Sequence, residues 1–154
     1  MESLLCTNIE LCQKRGACLF TYTERMNVLP MTETELATAI VKILDSKKAR
    51  RIRLLSVADQ TSLTDYFVIC EGTSRTHIRA LADEVEYQLG LLGISPLHID
   101  GNQEAAWRVL DYAHVMVHIL DRDQREYYNL EKLWHGATEI DLSEILAAQE
   151  PKSP

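Results

Sequence analysis

Five consecutive residues, Tyr66-Phe67-Val68-Ile69-Cys70, are apolar, and all but Cys70 are aromatic or β-branched. A strand with one wet face alternates polar and apolar residues; a run without a polar member predicts a strand buried on both faces. Such a strand needs a layer above and below it, which restricts the chain to layered folds with a covered sheet. Directly behind it, Glu71-Gly72-Thr73-Ser74 leads into a helix, with Thr73 or Ser74 as its cap. Ile78, Leu81, Ala82, Val85, Leu89 and Leu92 then make one apolar face, and Gly93 stops the helix. A buried strand feeding an amphipathic helix is the building unit of α/β domains.

The flanking sequence extends the pattern. Thr32 or Thr34 can cap an earlier helix whose acidic start, Glu33 and Glu35, suits the helix dipole. Leu36, Ile40, Ile43 and Lys47 keep helical spacing, widened by Ala37 and Leu44, and the helix runs into the basic cluster Lys47, Lys48, Arg50, Arg51. Strands are predicted at 52–57, at 66–70, at 96–99, at 107–110 and, most strongly, at 115–120. Short helical pieces are predicted around 124–128 and 130–134. The expected fold class is therefore α/β, a mixed sheet of four to five strands flanked by helices. Residues 1–30 lack periodicity and end at Pro30; they read as a loosely attached extension, or as sequence upstream of a true start at Met31. One domain is expected over 31–146, with a polar, frayed tail over 147–154.

Charge narrows the partners. A net charge of -7 on 154 residues opposes whole-molecule attraction to nucleic acid and suits docking on a basic protein surface. Contact with RNA would need a local basic patch, and Lys47, Lys48, Arg50, Arg51 and Arg53 form the candidate. Cys6, Cys12, Cys18 and Cys70 include no close CxxC pair, so neither a zinc site nor a disulfide framework is expected. No apolar run reaches the ~18 residues of a membrane helix. Leu4-Leu5-Cys6 and Cys18-Leu19-Phe20 are too short for an export signal, and Glu2, Glu10 and Glu24 oppose a transit peptide. The expected location is the cytoplasm.

Candidate chemistry is sparse. Gly72, Thr73 and Ser74 stand where a strand-to-helix junction could hold a phosphate, but they lack the GxxxxGK[ST] pattern of a phosphate loop. Asp121-Arg122-Asp123 has the D-x-D spacing by which magnesium-dependent nucleotidyl transfer holds its ion, and equally the composition of a polar turn closing a strand. His114 and His118, on a strand, would stand roughly 13 Å apart and could not share a metal. His98 and Asp100 share a strand side without a third ligand nearby, and Cys70 reads as a small buried hydrophobe. No catalytic residue, cofactor or metal is expected.

Both tryptophans and three of the six tyrosines fall between 107 and 134. Trp107-Arg108-Val109-Leu110-Asp111-Tyr112 and Tyr127-Tyr128-Asn129-Leu130-Glu131-Lys132-Leu133-Trp134 flank the strand at 115–120. Large amphipathic rings without an evident nucleophile or metal cage point to a surface that grips another macromolecule.

These blocks, with Asp65-Tyr66-Phe67-Val68-Ile69-Cys70-Glu71-Gly72-Thr73-Ser74 and Val115-Met116-Val117-His118, closely resemble the ribosomal silencing factor (RsfS, or Iojap-like) family from about Thr32 to about Ile145. The resemblance implies a nucleotidyltransferase-like topology without catalytic activity. It implies binding to ribosomal protein fourteen of the large subunit, which sterically blocks subunit joining and represses translation. The family's motif carries over as a contact set of Trp107, Leu110, Asp111 and Tyr112, with Arg108 added on chemical grounds. Tyr128, Leu133 and Trp134 match a later motif whose role, partner contact or sheet brace, is left open. Most relatives read Asp-Tyr-Gly-Asp where this chain has Asp111-Tyr112-Ala113-His114. A homodimer through the sheet or the first helix is compatible with the resemblance. Two other readings stand beside it: a large-subunit assembly factor touching ribosomal RNA through Lys47 to Arg53, and a divergent nucleotidyltransferase using Gly72, Ser74, Asp121 and Asp123.

Overall fold

A computed structural model describes residues 31–102 and 104–147. The predicted extension over 1–30 and nearly all of the predicted tail lie outside the described residues. The first helix, α1 (Glu33–Ser46), buries Leu36, Ala37, Ile40, Val41 and Leu44. It begins one residue after Thr32, while Thr34 points its hydroxyl at the Tyr66 phenol, 3.0 Å away. Strands β1 (Arg50–Ser56) and β2 (Tyr66–Glu71) follow, then α2 (Arg75–Leu91). Ser74 caps α2 by accepting from the His77 backbone N–H at 3.1 Å, and Gly93, at φ +77°, lies just beyond its end. Strands β3 (His98–Asp100), β4 (Trp107–Asp111) and β5 (Val115–Leu120) come next. Two short helices, α3 (Arg122–Tyr128) and α4 (Leu130–Leu133), lead to β6 (Thr138–Ile140) and α5 (Ser143–Ala147).

The sheet order is β3-β4-β5-β2-β1-β6. Only β2 and β5 run parallel, with Phe67 opposite Met116 and Ile69 opposite His118; the other four pairings are antiparallel. The two parallel strands occupy the centre, which is why both are predominantly apolar on both faces, with Glu71 and His118 the exceptions. The sheet is thus mixed, as expected, but has six described strands instead of four to five. The unforeseen one, Thr138–Ile140, is three residues long and acquires its strand character by pairing with Leu54 to Ser56 of β1. Nor does the sequence pattern reveal α5, which is five residues long.

Strand periodicity divides the core in two. Alternate residues face opposite sides. Helix α1 packs on β1, β2 and α2, and α2 packs on β4 and β5, so both large helices cover one face. On the other face Leu55, Val57, Phe67, Ile69 and Leu120 form a second cluster, closed by Leu130, Trp134 and Ala137 of the chain that follows β5. Trp107 and Met116 border this cluster and are only partly buried. Cys70 is fully buried, and burial pushes its thiol up to about 12, the behaviour of the small hydrophobe anticipated for it.

Candidate functional site

The second face of the sheet carries a continuous line of rings. Trp134 lies 5.1 Å from Phe67, Phe67 5.3 Å from His118, and His118 5.8 Å from Trp107 (centroid to centroid). Trp107 then meets Tyr128 at 4.9 Å, and Tyr128 meets Tyr127 edge-on at 5.0 Å. The line begins in the core and ends at the surface, where Tyr128 is 50% and Tyr127 80% exposed. The two aromatic blocks of the sequence are therefore one structure, joined through Phe67 and His118. Trp134 braces the sheet; Tyr128 stands out beside Trp107; Leu133 is exposed on α4.

Beside this line, β4 and its neighbours present Val109, Asp111 and Met116, all half-buried. Asp111 pairs in register with His98 and Met116, and Val109 with Asp100 and His118, so these side chains share the face of Trp107. His98 and Asp100 are exposed. One Asp111 oxygen accepts the Ala113 backbone N–H at 2.8 Å. An apolar, aromatic strip with carboxylates at its rim has the make-up of a docking face for a basic protein surface.

The predicted contact set does not lie on one surface. Trp107 and Asp111 share the open face, whereas Arg108, Leu110 and Tyr112 point under α2. Leu110 is fully enclosed, so it has no area to offer a partner. Arg108 does not reach outward to a partner's charge; it is buried, with Nη1 3.3 Å from the Asp83 carboxylate of α2. Tyr112 is also buried, and burial, reinforced by Glu86, pushes its phenol up to about 12. The reason is the two-residue period of a strand: no contiguous run of six can face one way.

Segment 121–137 is fastened over the sheet by a charge cluster that sequence reasoning missed. Strand β1 contains a bulge between Arg50 and Arg53, and Arg51 there adopts φ +47°. Its carbonyl accepts from Nη1 of Arg125 on α3 at 2.7 Å. Arg125, 3% exposed, also binds the Glu131 carboxylate through Nε at 2.9 Å and lies 3.5 Å from Glu71. Burial alone would raise the Glu131 carboxyl, but hydrogen bonds from Arg125 and the backbone, together with the charges of Arg125 and Arg53, hold it below its usual range. A buried arginine in a seven-residue helix leaves no periodic signal by which it could be found.

The residues of the alternative enzyme reading do converge. Gly72, Thr73, Ser74, Asp121 and Asp123 line a cleft of about 400 Å³ at the carboxyl ends of β2 and β5, together with Arg50, Arg75 and Arg122. Two of these already have structural roles. Asp121 caps α3 by accepting from the Gln124 N–H at 2.8 Å, and Ser74 caps α2. Among the described residues no three His, Cys, Asp or Glu side chains form a metal-binding group. Asp121 is thus a strand-closing cap, which accords with the plainer of the two readings of the D-x-D composition. His114 is exposed in the turn before β5 and contacts Asp65 at 2.7 Å, whereas His118 is buried.

Comparison with known proteins adds a family. A profile described as "Ribosomal silencing factor during starvation" matches residues 30–154. A ribosomal silencing factor of Halalkalibacterium halodurans is 33% identical over 117 residues, covering 76% of this chain and all of that protein. A mouse protein named for mitochondrial assembly of the ribosomal large subunit is 32% identical over 98 residues, 62% of this chain and 43% of its own length. A crystal structure from Chromobacterium violaceum superposes with a TM-score of 0.66 at 26% identity, covering 73% of this chain and 93% of the other.

Proposed function

The chain belongs to the ribosomal silencing factor family, regulators of translation and not enzymes, and from that premise we propose that it acts by docking its aromatic sheet face on ribosomal protein fourteen of the large subunit. Occupying that site would sterically block the small subunit and repress translation, in the cytoplasm. The observation that carries this reading is the strip of Trp107, Val109, Asp111 and Met116, extended by Tyr128 and Tyr127 and rimmed by Asp100. Its rim is acidic, which suits a basic ribosomal protein better than a phosphate backbone. In this reading Trp107 is the anchor and Asp111 meets a cation of the partner. Arg108, Leu110 and Tyr112 act from beneath, holding β4 against α2. The sheet is read as a nucleotidyltransferase-like scaffold in whose cleft Ser74 and Asp121 serve as helix caps.

Trp107→Ala tests the assignment. Loss of a central aromatic anchor typically costs ~2 kcal/mol or more, roughly thirtyfold in affinity. The variant is expected to keep its circular dichroism and to lose cosedimentation with large subunits. Full cosedimentation of the folded variant would place the interface elsewhere. A second reading, a large-subunit assembly factor with a ribosomal RNA contact, is favoured by one observation. The cleft brings Arg75 and Arg122 beside Arg50, adding to the basic run that continues through Lys47, Lys48 and Arg51. Pull-down from lysate would separate the two readings: capture of the single ribosomal protein without RNA supports docking, and capture that needs intact RNA supports assembly.

A further inference from the structure

An indole has one polar atom to offer, its Nε1–H donor. In Trp107 that donor points at Nδ1 of His118, 3.3 Å away. His118 lies diagonally across the β4–β5 ladder, since Val109 is its register partner and Trp107 pairs with Leu120. Its ring is 9% exposed and is flanked by the rings of Phe67 and Trp107. Because Nδ1 accepts, the imidazole is neutral, with its proton on Nε2. On the far side of Trp107 stands Tyr128, the exposed ring that extends the strip.

We propose that His118 is the positioning residue of the docking face: it takes the Trp107 indole proton internally as a hydrogen bond, fixes that ring against Tyr128, and leaves Trp107 to meet a partner only as apolar surface. The inference rests on the docking role given to Trp107. It also defines the partner's chemistry at that point. A group seeking a hydrogen bond from the indole finds the donor occupied, so the matching surface is an aliphatic or aromatic side chain, with a cation nearby for Asp111. A buried histidine without an acidic partner would otherwise be an expensive way to fill core space that Phe or Leu could fill.

Two substitutions and one spectroscopic signature test this on the full chain. His118→Phe keeps a ring and removes the acceptor; His118→Asn places an oxygen near the Nδ1 position. With Trp134→Phe used for assignment, the Trp107 indole N–H should exchange slowly with solvent and show a nitrogen–nitrogen coupling to Nδ1 of His118. His118→Phe should speed that exchange and weaken cosedimentation with large subunits by about tenfold, the scale of one hydrogen bond. His118→Asn should recover part of both. Absence of the coupling in the native chain, or an unchanged Trp107 indole signal in His118→Phe, would overturn the proposal. So would equal binding losses in the Phe and Asn variants while both remain folded. Should His118→Phe fail to fold, the coupling and the Asn variant still decide. Failure of the docking role appears separately, as normal binding by Trp107→Ala, because the indole signature is read without any partner.

Discussion

Ala113 sits at φ +69° in the three-residue connection between β4 and β5, where the Tyr112 N–H reaches the Val115 carbonyl at 2.9 Å. Tight hairpins favour glycine at such a position, because a β-carbon collides with backbone in the left-handed region. Alanine there thus carries a conformational cost, while the next residue, His114, meets Asp65 at 2.7 Å. Ala113→Gly should raise stability by up to about 1 kcal/mol, a rise of roughly 2–4 °C in Tm by calorimetry. An unchanged or lowered Tm would show that the turn is not strained. His118 predicts a pH response. Burial lowers its pKa to about 4, against 6.5 for an unburied imidazole. Above pH 6.5 both folded and unfolded forms are neutral, and the full stability is present. As pH falls from 6.5 toward 4 the unfolded chain takes up the proton first, so stability falls, by about 3 kcal/mol at the lower end. His118→Asn should flatten that window of a urea-unfolding profile; an unchanged slope would mean that His118 does not titrate in this way.

Among the elements, the segment α3–α4 depends most on a single side chain. Arg125 joins the Arg51 carbonyl, Glu71 and Glu131, and so ties the aromatic end of α3 to the β1 bulge. Replacing it with Met would leave Glu71 to Arg51 alone and the half-buried Glu131 to the more distant Arg53, a loss of about 2 kcal/mol. Hydrogen exchange should then show α3–α4 opening before the α1–α2 side; uniform loss of protection would refute a local latch. How much of this was legible follows from the elements themselves. Strand 66–70 was evident because burial on both faces leaves no polar residue, strand 115–120 because His118 alone interrupts five apolar residues, and α2 because cap, stripe and terminal glycine agree. Strand β6 and Arg125 were not, since each gains its character from a partner remote in sequence: Thr138–Ile140 from β1, Arg125 from the bulge carbonyl 74 residues earlier. Trp107 and Asp111 were legible as surface candidates. Arg108, Leu110 and Tyr112 were assigned with them because a motif read linearly hides the alternation that sends them under α2.

Across the described domain, charge is sorted by place. The strip around Trp107 bears Asp100 and Asp111 near its rim, while Arg50, Arg75 and Arg122 gather at the cleft beyond the carboxyl ends of β2 and β5. Three acids, Glu71, Asp121 and Asp123, line the same cleft, which moderates its attraction for phosphate. The two macromolecular readings therefore make opposite demands on one measurement. If a basic ribosomal protein is the partner, removing acid from the strip should slow association and weaken binding, and added salt should have a modest effect. Asp111→Asn is the suitable variant, because it keeps the oxygen that accepts the Ala113 N–H and removes only the charge. Combined with Asp100→Lys, it should lower affinity for large subunits about tenfold, while Lys48→Glu with Arg50→Glu should change it less than about twofold. If ribosomal RNA supplies the binding energy, the ranking inverts, and the basic-to-acid pair also flattens the salt dependence by roughly one unit of slope for each phosphate that the protein no longer neutralises. Affinity measured at several salt concentrations on these two double variants distinguishes the outcomes. A dominant effect of the Lys48 and Arg50 pair would move the functional surface from the aromatic strip to the cleft.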